Sequence, residues 1–227
     1  IDGVRLSWDY VVMVAMSAVV AAVGIYRDDL VLVIAGMIIA PLLYPNMALA
    51  LATNLADKDL GWHALKVNAL GLLAALAVAV LFGLVMPIES SFESTGLRTS
   101  IGSLDVVVAA AAGTAAALSF VSQKSGTVVG VMVAVALLPP LVSLGMLFGA
   151  GYWSMAVAPL LLFLINVICI NLAAVITFVA WKVSPRTHHE EKRAHRAWRR
   201  AIALWVLLLG ALVALALFAG EYWEPFW

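Results

Sequence analysis

The chain has 227 residues, of which 65% are hydrophobic and only 11% charged, with a mean hydropathy of +1.08. A soluble domain carries about a quarter charged residues, so the composition excludes an ordinary water-soluble globule. Thirteen Lys and Arg balance thirteen Asp and Glu, but they are clustered, and the zero net charge says little about partners. The one cysteine, Cys169, cannot close an intrachain disulfide.

Read with a window of about 19 residues, the sequence predicts an all-α bundle of about seven membrane spans. They are 8–25, 30–53, 64–86, 105–122, 127–149, 153–182 and 201–220. A hydrocarbon core about 30 Å thick needs about 20 residues of helix. The first span lacks a small-residue cleavage pattern and reads as a true span, not a cleavable signal. Because position 1 is Ile rather than Met, the chain is expected to be a fragment of a longer one.

The second span, in IAGMIIAPLLYPNMALALA, contains Pro41 and Pro45, with Tyr44 and Asn46 beside them. Proline has no N–H for the carbonyl four residues back, so the carbonyls of Met37 and Pro41 are expected to lose their partners. After the third span, Arg98 stands seven residues before Asp105, an entrance pair or a helix cap. The fourth span places Ala109, Gly113 and Ala117 on one face. The fifth carries Pro139 and Pro140, followed by Ser143 and then Gly145 and Gly149. Two adjacent prolines cost about 3 kcal/mol each inside a helix, and they are expected to break this span and free the carbonyls of Val135 and Ala136. The sixth span has the polar residues Asn166, Asn171 and Thr177. Its asparagines read either as interhelical glue or as ligands beside the freed carbonyls. The prolines, likewise, read either as the frame of a polar site or as kinks that only shape packing.

Segment 184–200, SPRTHHEEKRAHRAWRR, reads first as a positive-inside anchor, and otherwise as a patch for anionic lipid or a protein. His188, His189, Glu191 and His195 lie within it without a recognised ligand spacing. With the N-terminus inside and strict alternation, Arg5, Lys58, Lys66, Lys124, Lys182 and the six Lys and Arg of 184–200 fall inside. Only Arg27 and Arg98 fall outside. That asymmetry predicts a cytoplasmic N-terminus in the cell membrane and an outer C-terminal tail, EYWEPFW. The resulting organisation is a six-span core over 1–183, a basic cytoplasmic loop over 184–200, and a seventh span with its aromatic tail over 201–227.

No nucleophile–histidine pair, HExxH, paired aspartate or phosphate loop is present, so catalysis is not expected, nor is a metal or other cofactor. No carboxylate lies near the centre of any span, which argues against a carboxylate proton relay. The expected partners are membrane lipids, a small solute or ion, and a second copy of the chain through the small-residue faces. Nucleic acid is not among them.

Four stretches in order, AGMIIAPLLYPNMALALATNLAD, GLRTSIGSLDVVVAAAAGTAAALSF, GVMVAVALLPPLVSLGMLFG and LLFLINVICINLAA, resemble a bacterial and archaeal multipass membrane family, domain of unknown function 389. The resemblance covers about residues 10–183. It implies that family's membrane fold and a soluble cytoplasmic portion ahead of Ile1, but no substrate. Arg98, Thr99, Asp105, Pro139, Pro140, Asn166 and Asn171 fit the family pattern. Tyr44, Asn46 and Ala48 depart from it, where the family has a glycine-rich motif. Spans one to three (8–86) and four to six (105–183) each have a proline-bearing middle helix. An odd number of helices gives the two units opposite orientations, the inverted-repeat plan of many transporters. The expectation is therefore a transporter or permeation pathway with a midplane site at Pro41, Tyr44, Pro45, Asn46, Pro139, Pro140, Ser143, Asn166 and Asn171. The alternative is a non-transporting scaffold, sensor or oligomeric anchor.

Overall fold

The structure, a computed structural model, describes residues 7–88, 103–122, 127–183 and 198–214. Among these residues it is wholly helical: α1 (Trp8–Tyr26), α2 (Leu30–Ile39), α3 (Leu43–Leu55), α4 (Lys58–Val85), α5 (Ser103–Ser122), α6 (Thr127–Gly149), α7 (Val157–Ala180) and a last helix, α8, over 198–214. Among the described residues four helices are long and apolar enough to cross a membrane, or up to five if α2 and α3 are one bent span. The chain is thus a multi-pass membrane protein by length and composition.

Polar side chains fix where these helices begin. Asp29 accepts from the backbone N–H groups of Val31 and Leu32 at the start of α2, and Asp57 from those of Asp59 and Leu60 at the start of α4. Each cap stabilises its helix by about 1 kcal/mol. The α4 cap starts that helix six residues ahead of the predicted span, because hydropathy sees apolar side chains and not caps.

The second predicted span is indeed interrupted. α2 and α3 meet at 54° across a short break at Ala40–Leu42. Pro41 lies in that break, whereas Pro45 falls in the first turn of α3, where N–H groups have no intrahelical partner and proline costs little. The fifth span differs from expectation: α6 runs continuously through Pro139 and Pro140.

Packing follows the small residues. α1 lies along α2 and α4, α4 along α6, and α5 along α7, while α3 and α6 also touch α7. At the α4–α6 seam a Cβ on Gly83 would run into the Met146 backbone, and one on Gly145 would come 2.5 Å from the Ala79 Cβ. Such approaches let helices pack in lipid without a hydrophobic drive. Aromatic pairs close both sides of the bundle: Tyr26 meets Phe82 edge-on between α1 and α4, and Phe120 meets Phe178 edge-on between α5 and α7. In α8, Trp198, Ile202, Leu209 and Leu212 rest against the core while Leu204, Val206 and Leu207 stay exposed.

Candidate functional site

A cavity of about 390 Å³ enters the bundle at the end where α1 stops and α2 and α5 start. Asp28 and Asp29, from the α1–α2 turn, and Asp105, from the first turn of α5, line it. Deeper in, its wall is Val135, Ala136, Pro139, Pro140 and Ser143 of α6 with Leu162 and Asn166 of α7. The size is that of a small-molecule pocket. Among the described residues no Lys, Arg or His lines it.

Local backbone chemistry puts each group there. α1 ends at a tight turn in which the N–H groups of Arg27, Asp28 and Asp29 donate to the carbonyls of Val23, Ile25 and Gly24. Asp28 takes a left-handed conformation, φ 53°, which aspartate adopts more readily than most residues. Gly24 leaves room for the α2 backbone at Val33, 2.6 Å from where its Cβ would be.

The base of the cavity is built around the prolines. Pro140 cannot donate to Ala136, and the buried Asn166 supplies the missing bond: its Nδ2 donates to the Ala136 carbonyl at 2.7 Å. This corrects the expectation of a broken span with Ala136 left free for a ligand. A replacement donor from α7 lets α6 continue as a helix. Pro139 removes the intrahelical donor to Val135 in the same way, and Val135 lies on the cavity wall. Asn166 gives its amide to α6 but keeps a buried Oδ1 without a hydrogen-bond partner.

The other half of the expected site lies elsewhere. Pro41, Tyr44, Pro45 and Asn46 are not on the cavity wall, and Tyr44 is exposed on the side of α3. Asn46 is buried; its Nδ2 donates to the Leu42 carbonyl at the break, and its Oδ1 accepts from Nδ2 of Asn68 on α4 at 3.0 Å. Asn68 itself keeps a buried, unpartnered Oδ1. Asn171 donates to Val167 within its own helix and does not reach the cavity. The nine predicted residues thus divide: Pro139, Pro140, Ser143 and Asn166 come together, with Asp105 at the entrance, and the other five do not join them. Arg98 and the basic segment over 184–197 lie outside the described residues.

Sequence reasoning missed Asp28, Asp29 and Asn68. The two aspartates follow Arg27 in a loop that hydropathy reads only as a connection, although their place between two spans was visible. Asn68 stands three residues before Gly71, and a polar residue beside a glycine in an apolar run was the available signal. Ser17 also escaped notice; its hydroxyl donates to the Gly36 carbonyl at 2.8 Å and ties α1 to α2.

Comparison with known proteins agrees with the motifs. An uncharacterized protein of Methanocaldococcus jannaschii is 40% identical over 217 residues, which is 96% of this chain and 68% of that relative. No solved structure matches. The model of the family described as domain of unknown function 389 matches residues 37–172, and the chain belongs to that family.

Proposed function

We propose that this protein is a transporter or permeation pathway for a small solute. The cavity carries the reading: it descends from an acidic entrance to a buried side chain, Asn166, that retains an unpartnered oxygen. Asn68 and Asn171 also keep an unpartnered Oδ1, but of the three only Asn166 lines the cavity.

On this reading the chain crosses the plasma membrane seven times, with its N-terminus cytoplasmic, and the cavity opens outward. α1, α2–α3 and α4 form one unit, and α5, α6 and α7 form its inverted counterpart. Several pairs of features support that relation. First and third helices pack together in each unit, and each such pair carries an edge-on aromatic contact near one end. The third helix of one unit touches the middle span of the other in both directions, α4 with α6 and α7 with α3. In each unit an asparagine of the third helix, Asn68 or Asn166, donates to the proline-bearing middle span and keeps an unpartnered Oδ1. The middle spans differ in shape, bent by 54° in one unit and continuous in the other. Exchanging those shapes would close the outer cavity and open an inner one beside Asn68, the alternating access that inverted repeats provide.

Filling the cavity tests the proposal. Val135→Trp places a large side chain on its wall without touching the Asn166–Ala136 bond. Solute flux into proteoliposomes is expected to fall to background while the purified variant keeps its thermal stability. Undiminished flux in that variant would show that solute does not use this cavity.

The second reading, a non-transporting scaffold or sensor, draws on the Asn166–Ala136 bond, since the protein itself satisfies the carbonyl that Pro140 frees. It predicts no flux of any solute from the wild-type chain.

A further inference from the structure

We infer that the cavity selects a small monovalent cation, an alkali ion or a protonated amine; the inference rests on the permeation reading for its role but concerns binding. The wall is rich in oxygen and poor in donors. Among the described residues its charged side chains are Asp28, Asp29 and Asp105, and the neighbouring cation, Arg27, is not on it. The donors that can be traced are spent elsewhere. The backbone N–H groups of Asp28 and Asp29 go to Ile25 and Gly24, and the Asn166 amide goes to Ala136. At the base, beside the Ser143 hydroxyl, which can donate or accept, stands an acceptor: Oδ1 of Asn166, on a side chain 5% exposed, without a partner. The wall also includes Val135, whose carbonyl Pro139 deprives of its helical donor. An anion would meet carboxylates at the entrance and the unpartnered Asn166 oxygen at the base. A cation meets attraction at both levels.

The valence follows from spacing. Among the described residues no three His, Cys, Asp or Glu side chains are close enough to hold a metal ion together. Divalent cations demand converging oxygen ligands, six to eight for calcium, and this wall does not offer them. Dispersed carboxylates instead raise the local concentration of any small cation, while one or two neutral oxygens hold it at the base, an arrangement suited to a weakly hydrated monovalent ion. Asp29 spends part of its charge on capping α2, but that leaves the excess of acceptors unchanged.

The test is equilibrium binding of rubidium, methylammonium and chloride tracers to the purified full chain, beside flux of the same tracers into proteoliposomes. The key variant is Asp28→Asn/Asp29→Asn/Asp105→Asn, which removes charge while preserving shape. Asparagine caps a helix as well as aspartate and tolerates a left-handed backbone. The wild type is expected to bind rubidium or methylammonium and not chloride, with about a tenfold or greater loss in the triple variant. Whichever cation binds more tightly decides between an alkali ion and an amine. Chloride binding, no binding of either cation, or cation binding unchanged in the triple variant would each overturn the inference. Cation binding without flux would uphold it and remove the permeation reading; flux of chloride without cation binding would do the reverse.

Discussion

Asn166 does two jobs with one amide. Its nitrogen replaces the backbone donor that Pro140 lacks, and its oxygen faces no protein partner. The two residues should therefore be energetically coupled. Asn166→Ala alone leaves the Ala136 carbonyl buried and unpaired, a loss of about 1 to 3 kcal/mol. Pro140→Ala restores an N–H that can donate to Ala136 along the helix, so adding Asn166→Ala to that background should cost much less. Thermal melting of the four proteins in detergent measures the cycle; equal costs in both backgrounds would contradict the pairing. The sequence showed both members but not their meeting. They are 26 residues apart on different helices, and nothing in a linear reading says which asparagine reaches which proline. The same limit applies to Asn46 and Asn171: both were visible as polar residues in apolar runs, yet one bonds to α4 and the other turns back on its own helix.

Helices were easier to read than side-chain pairs, because a span is a local property of about 20 residues. The bounds of α1, α5, α6 and α7 lie within a few residues of the predicted spans. The α2–α3 break was legible too, though its place was set by Pro41 and not by the later Tyr44–Asn46 triplet. The continuity of α6 was not legible, since it depends on a donor from α7. Small-residue steps foretold the tight seams, and those seams give a stability test. Gly145→Val would force new atoms toward Ala79 and the Leu76 carbonyl, at a cost of about 1 to 3 kcal/mol. Gly210, in α8, has nothing within 4 Å of its would-be Cβ. Gly210→Ala should be neutral or should stabilise that helix by up to about 1 kcal/mol. Similar melting temperatures for the two variants would mean that the α4–α6 seam is looser than described.

Across the whole molecule, the charge asymmetry of the loops and the acidic cavity give one joint expectation. Cys169 is buried, so the wild type should resist membrane-impermeant thiol reagents and serve as its own blank. Val135→Cys, on the cavity wall, should label from outside. Lys58→Cys, at the start of α4, should label only once the inner face is exposed. Labelling of both from the same side would overturn the proposed orientation; protection of Val135→Cys from both sides would mean that the cavity is dry. Several membrane-crossing helices were open to sequence reading because they follow from counting apolar runs; the count of seven, its sign and the pairing of two units belong to the proposal. The cavity was not legible, since Asp28 and Asp29 lie more than 70 residues from Asp105 and line one cavity only when α1 stops and α2 and α5 start at the same end.

The bond from Asn166 to Ala136 also constrains how such a chain can change over generations. An asparagine arriving first finds a helix whose carbonyls are already served and does little harm. A proline arriving first strands a carbonyl inside the membrane. The order of substitution is thus biased, and once both are in place each makes loss of the other unequal: Pro140 can be given up freely, while Asn166 cannot go until the proline has gone. Among descendants of this sequence, combinations with asparagine and no proline should be common, and the opposite combination rare.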